Sequence, residues 1–392
     1  MKPTRRVGQI FNSVSHVIAA LSNPRYERRM TDPDACDFLV GNPQEMPLEG
    51  YVSALQKQIP PKNKDWFGYK MNEEEPRRIL AENLSISRGA RFKPEDIFLT
   101  TGAFSGLAVS LYCLLEPGDE VIFISPPWFF YEALILMAGG VPKRVKCDPI
   151  TFDLDLEAIE SAITAKTKAI LINSPNNPTG RIYPEKTLKE LGDVLSRASR
   201  RNSSPIVLIS DEAYSRIVYD GVKFISPVQF YSHSFLIYTY GKTLLTPGQR
   251  IGYIALSPDF PEPEPIRQAI MLTQVALGYA FPNAVLQYAI ADLEKLSIDI
   301  EHLQQKRDKM FNALNEMGYQ VHKPEGTFYL LPKSPIEDDV AFVDTLTDQH
   351  VYCLPGKVVE MPGYFRISLT ANGAMIDRSL PIFKNMLERV TS

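Results

Sequence analysis

The sequence predicts an α/β protein: a mainly parallel central sheet flanked by helices, joined to a smaller α+β unit. Short apolar runs recur through the middle of the chain, most of them are continuous rather than alternating, and helical patterns separate them. A continuous apolar strand is one covered on both faces, and strands that alternate with helices build parallel sheets through crossover connections.

Taken in order, Val7, Ile10, Phe11, Val14, Val17, Ile18 and Leu21 recur at helical spacing and predict an N-terminal helix, packed on the body of the protein or against a partner subunit. Strands are predicted over 96–100 (DIFLT), 120–125 (EVIFIS), 168–173 (KAILIN), 205–210 (PIVLIS), 234–240 (SFLIYTY) and 252–257 (GYIALS). Between them lie the helical patterns FSGLAVSLYCLLE, PWFFYEALILMAG, LEAIESAITAK and PEKTLKELGDVLSRASRR. From residue 286 a long charged helical pattern, LQYAIADLEKLSIDIEHLQQKRDKMFNALNEMG, is followed by TFYLLP, VYCLPG, YFRISLT and a last helix. The expected division is a large domain over 50–285 and a small one from 1–49, with its N-terminal helix or arm, and 286–392. No internal repeat or low-complexity linker interrupts it.

A formal charge of −4 and a pI near 5.9 leave no basic footprint, which argues against nucleic acid or an anionic membrane as partner and for small molecules. Cys36, Cys113, Cys147 and Cys353 are far apart and form no Cys-x-x-Cys pair, as expected of reduced core thiols. The five histidines show no metal-ligand spacing, so no metal is expected. The N-terminus has basic residues but no uninterrupted apolar core, and no run reaches transmembrane length. A cytoplasmic protein is expected.

Ligands of open α/β sheets bind outside the carboxyl ends of the strands. After DIFLT comes TGAFSG, where Gly102 opens a helix whose N–H groups can hold a phosphate. After EVIFIS comes PPWFF, with Trp128 as core or as a stacking face. SPNNPTG follows KAILIN and offers amides or simply a turn. DEAY follows PIVLIS, with Asp211 either capping what comes next or facing a ligand. YGKTLLTPGQRIGY then places Lys242 at one strand end and Arg250 before the next strand.

One ligand would use all five. A phosphorylated heteroaromatic aldehyde needs a primary amine for a reversible Schiff base, which lysine supplies. Its ring nitrogen needs an anion, for which Asp211 fits; its phenolic oxygen wants donors, for which Asn177 and Tyr214 are placed. Arg250 offers its phosphate a fork of donors. The reading is pyridoxal phosphate on Lys242.

SPNNPTG, DEAY and GK, with GQRIG eight residues beyond, resemble the fold-type I aminotransferases of the class I and II family, and the resemblance runs from GNPQEMP at 41 to FRISLT at 370. It implies an aminotransferase moving an amino group between an α-amino acid and a 2-oxo acid through a Lys242 aldimine, with Lys242 also shuttling the proton. It further implies that Gly102, Ala103 and Phe104 lie by the phosphate with Thr239 and Arg250. Trp128 would stack on the cofactor ring, Asp211 meet its nitrogen, and Asn177 and Tyr214 its oxygen. Tyr69, in WFGYK, would reach a neighbour's phosphate in a homodimer. Arg366 would grip the substrate carboxylate, with Asn177 and the Gly41 backbone nearby.

The chain departs from the family pattern in the loop NEEEP, in Gly241, and in Ala276, where some dicarboxylate-specific relatives carry an arginine. Phe104, Tyr279 and Phe281 either pack in the core or favour an apolar or aromatic substrate side chain. Other pyridoxal phosphate reactions on this fold, such as elimination, decarboxylation, cyclisation or amino-acid oxidation, stay open. A non-catalytic ligand sensor would need an appended DNA-binding domain, and only residues 1–40 precede the family body. A nicotinamide oxidoreductase would need a Gly-x-Gly-x-x-Gly fingerprint, which the first strand-to-helix turn lacks.

Overall fold

The computed structural model describes residues 2–391. Its strands are β1 (Cys36–Asp37), β2 (Ile97–Thr100), β3 (Glu120–Ser125), β4 (Val141–Lys146), β5 (Thr167–Asn173), β6 (Val207–Asp211), β7 (Ser234–Thr239), β8 (Gly252–Leu256), β9 (Tyr329–Leu330), β10 (Val351–Tyr352), β11 (Leu354–Pro355) and β12 (Phe365–Ser368). Seven form the central sheet in the order β2-β8-β7-β6-β5-β3-β4. All neighbours are parallel except β8, which runs antiparallel to both β7 and β2. The carboxyl ends of β2, β3, β5, β6 and β7 therefore share one edge, and β8 begins at that edge.

Alternation along the strands builds a core on each face of this sheet. Val121, Phe123, Leu171 and Ile209 join one cluster, while Ile122, Ile124, Ile170 and Leu208 join the other. Each face is covered by helices. Ala103–Leu114 contributes Leu107 and Leu111 to the first cluster, and Glu185–Asn202 contributes Leu188, Leu191 and Leu195 to the second. A third cluster surrounds the three-stranded antiparallel sheet β11-β12-β9 and draws on Val17, Phe38, Tyr214, Met310, Phe365 and Phe383.

The six strand predictions correspond to β2, β3, β5, β6, β7 and β8, but β4 is absent from them. Its sequence, VPKRVK, is an edge strand buried only at Val145, so no apolar run marks it. The long helical pattern after 286 is two helices, Ala284–Leu293 and Ile300–Met317. Between them the Ile298 N–H donates to the Thr243 carbonyl at 3.0 Å, and the Asp299 side chain accepts from the His302 N–H, restarting the helix. A backbone partner outside the segment thus interrupts a helix that local periodicity alone would continue. The N-terminal helix spans Arg5–Leu21; Val14 and Val17 are buried, while Val7, Phe11 and Ile18 stay exposed. Among the described residues no helix is long and apolar enough to cross a membrane.

Candidate active site

Five of the strand-end segments converge because parallel strands align their carboxyl ends. They line one cavity of about 150 Å³ that includes Ala103, Phe104, Trp128, Asn177, Asp211, Tyr214, Thr239, Lys242 and Arg250. A cavity of about that size holds a benzene-sized ring. Arg250 belongs to the set although it precedes its strand, because β8 is antiparallel and starts where the others end.

At one end Gly102 has φ of +89°, a conformation glycine adopts without strain. A Cβ built there would lie 2.7 Å from Arg250 Nη2 and 3.4 Å from Thr239 Oγ1, so the missing side chain leaves room for the guanidinium. Gly102 caps the helix Ala103–Leu114 without a side-chain bond, so the first helical N–H groups stay open toward this corner. Arg250 donates Nη1 to the Pro247 carbonyl at 2.7 Å, and burial lowers its pKa.

Asp211 lies at the centre, buried at the end of β6. Its Oδ2 accepts from the Tyr131 hydroxyl at 2.6 Å and its Oδ1 from the Ala213 N–H at 3.1 Å. Burial pushes the carboxyl up to about 6, against the opposing effects of these bonds and of the Lys242 charge. Of its two sequence readings, the cap is only a local Asx turn, since a turn and no helix follows. Lys242, in the short helix Tyr240–Thr243, holds Nζ 5.7 Å from the Tyr214 ring centroid and 5.9 Å from that of Phe328.

Arg366, on β12, comes from the smaller sheet and is only 3% exposed. Its Nη1 donates to Asn177 Oδ1 at 3.0 Å and its Nη2 to the Leu39 carbonyl at 3.3 Å, while its Nε has no partner. Neither Arg250 nor Arg366 has a carboxylate within ion-pair distance among the described residues. Two guanidiniums without an anion of their own, Arg366 buried and Arg250 exposed at the cavity wall, make a donor set suited to a ligand with two anionic groups.

Gly41 lies beside Arg366's ring contact: a Cβ on it would fall 2.6 Å from the Tyr329 hydroxyl. Tyr69 does not join the cavity of its own chain. It is 89% exposed and touches Phe281, with ring centroids 4.9 Å apart.

Three residues were not singled out from the sequence. Tyr131 holds Asp211 and is the fourth aromatic in WFFY. Asn173 ends β5; its Nδ2 donates to the Asp211 carbonyl at 2.9 Å and its Oδ1 accepts from the Asn177 N–H at 2.8 Å, tying two strand-end loops together. Tyr329, in TFYLLP, lies with its ring 4.1 Å from the Arg366 guanidinium. Burial raises its pKa, but the Arg366 and Lys242 charges and a bond from Tyr214 outweigh that and lower it; the same pairing and burial hold Tyr214 well above 10. Only Asn173, as the first amide of INSPNNP, carried a local signal.

The family model for aminotransferase class I and II matches residues 36–379. The chain belongs to the class I and II aminotransferases. It is similar to a probable aspartate aminotransferase of Methanocaldococcus jannaschii, 32% identical with 80% of this chain and 83% of that protein covered. A probable aspartate/prephenate aminotransferase of Aquifex aeolicus is 29% identical over 93% of this chain and 94% of its own. Among solved structures, an aminotransferase of Eubacterium rectale superposes with a TM-score of 0.88 at 28% identity, covering 100% of this chain and 97% of the other. Aspartate aminotransferase of Thermus thermophilus with maleate gives 0.86 at 26% identity, covering 99% and 100%. The fold is that of the fold-type I aminotransferases, and this aminotransferase uses pyridoxal phosphate to move amino groups.

Proposed function

We propose that the cavity at the sheet edge is the transamination site, with Lys242 supplying the amine that bonds the cofactor aldehyde. The observation that carries this reading is the pair of anion-free guanidiniums: Arg250, which lines the cavity with Lys242 and Asp211, and Arg366, which bonds the lining residue Asn177. Bound pyridoxal phosphate supplies the aldehyde and an electron-withdrawing ring.

The chain's own groups do the rest. Asp211 holds a proton at the ring nitrogen, and its buried carboxylate is matched to a cationic partner. The open N–H groups of Gly102, Ala103 and Phe104, with Thr239 and Arg250, hold the phosphate. Trp128 would cover a flat ring held here, and Asn177 and Tyr214, which line the same cavity, would offer donors to its phenolic oxygen. Arg366 grips the α-carboxylate of an amino or 2-oxo acid beside the Gly41 backbone. Lys242, as a free amine, would act as the base that moves the proton at the substrate Cα.

A homodimer completes this reading. Tyr69 is useful only to a neighbour, and exposed Ile59, Phe67, Leu272, Val275 and Phe281 provide apolar surface for one. The division into domains over 50–285 and over 1–49 with 286–392 is part of the proposal, supported by the third core cluster, which draws mostly on the latter segments. A cytoplasmic location agrees with the free thiols of the four cysteines.

Borohydride treatment of the purified protein tests the assignment. Reduction should fix the cofactor covalently on the peptide containing Lys242, and Lys242→Ala should lose both the adduct and turnover. A Lys242→Ala protein that transaminates at the wild-type rate refutes it.

A further inference from the structure

The names of the relatives point to aspartate as amino donor, yet the walls of this cavity point elsewhere. Its charged lining side chains are Asp211, Lys242 and Arg250, each already engaged by the cofactor in the reading above. Arg366 takes the α-carboxylate from the side of Asn177 and Tyr329. A substrate fixed there, with its Cα at Lys242, turns its side chain away from Arg366, toward the rest of the lining. Apart from Tyr214, the aromatic side chains of that lining are Phe104 and Trp128. Phe104 and Trp128 meet edge to face with centroids 4.9 Å apart, and Phe130 lies 5.5 Å from Phe104 and 5.4 Å from Trp128. Phe130 stands behind these two rings rather than in the lining, and Phe129, 4.8 Å from Phe130, packs against the cluster around the smaller sheet. Phe104 is 38% exposed, so its ring is not consumed by core packing.

The nearby cation is already neutralised. Arg144 bonds Glu132 through Nη2 at 2.6 Å and Glu360 through Nε at 2.7 Å, and Glu360 also accepts from Ser125 Oγ at 2.8 Å. One arginine between two glutamates leaves no unpaired guanidinium there. A second carboxylate on the donor would lose its hydration against these rings without gaining a partner among this chain's own lining side chains. Of the other two aromatics singled out in the sequence, Phe281 contacts Tyr69 and Tyr279 packs against the core cluster, so neither lines the cavity.

We propose that the amino donor carries an apolar, preferentially aromatic, side chain that packs on Phe104 at the cavity wall, and that this aminotransferase discriminates against dicarboxylic amino acids. The inference rests on the transamination reading, and its test separates the two. The cofactor-loaded enzyme is assayed with phenylalanine, leucine, aspartate and glutamate as donors and 2-oxoglutarate and pyruvate as acceptors. The expected result is kcat/KM for phenylalanine about a hundredfold above aspartate. Calorimetric titration of the loaded enzyme supplies a readout apart from turnover: 3-phenylpropionate should bind at least about tenfold more tightly than succinate, a discrimination of the size one apolar contact supplies. Phe104→Arg should narrow both ratios by giving a second carboxylate a partner. Equal or better use of aspartate, or tighter binding of succinate, by the wild-type enzyme overturns the donor assignment and leaves transamination standing. Absence of turnover with every donor, in protein whose cofactor is fixed by borohydride, overturns the transamination reading and the donor class with it.

Discussion

Replacing Asp211 by Asn should stabilise the cofactor-free protein while disabling the enzyme. Burial raises the Asp211 carboxyl from an ordinary value of 3.8 to about 6. At 1.36 kcal/mol per pKa unit, the ionised side chain costs the folded chain about 3 kcal/mol at neutral pH. A carboxyl whose folded pKa lies above its unfolded value favours folding when protonated. Its contribution is therefore complete below pH 3.8 and is lost as the pH rises through about 6. Asn removes this charge at the expense of few contacts. The Ala213 N–H keeps an oxygen acceptor, and the Tyr131 hydroxyl can rotate to accept from the new amide. Denaturant unfolding of cofactor-free protein should show Asp211→Asn more stable by about 1–3 kcal/mol at pH 8, with roughly 1.5 kcal/mol of the advantage gone by pH 5. Added pyridoxal phosphate should reverse the order, because only the wild type offers a carboxylate to a protonated ring nitrogen. A stability difference that does not change between pH 5 and pH 8 would show that Asp211 is not an ionised buried group and would remove the basis for its role.

Other substitutions probe the remaining groups. Arg366→Gln should raise KM for the amino donor about 10²- to 10³-fold, with cofactor affinity unchanged by equilibrium titration, since it removes a buried charge-assisted contact to the carboxylate. Gly102→Ala forces a side chain onto a φ of +89° and 2.7 Å from Arg250 Nη2; it should cost about 1–2 kcal/mol in unfolding experiments and weaken pyridoxal phosphate binding at least about tenfold. Tyr329→Phe keeps the ring against Arg366 and should leave KM within about threefold, whereas Tyr329→Leu should raise it about 3- to 30-fold through loss of the cation–π contact. Steady-state kinetics of the two Tyr329 variants, compared side by side, decide between a stacking role and none.

Local sequence was enough to single out most of the residues that line the candidate site. Gly102, Asn177, Asp211, Lys242 and Arg250 each occupy a strand end that an apolar run makes visible, and the run lengths nearly match β2, β5, β6, β7 and β8. Tyr131 and Tyr329 were hidden because an aromatic in an apolar stretch is ordinarily core, and nothing local says which hydroxyl will meet a carboxylate or which ring a guanidinium. β4 was hidden for the opposite reason, being too polar to stand out from a loop.

The sequence by itself determined the chemistry available to this aminotransferase: an amine, a carboxylate, amides and two arginines at fixed places along an α/β pattern. Tertiary structure alone decided that these meet. The antiparallel β8 brings Arg250 to the same edge as Lys242, and β12 carries Arg366 in from a separate sheet to Asn177. Strand direction and inter-sheet packing follow from long-range burial of apolar faces, which periodicity within one segment does not encode.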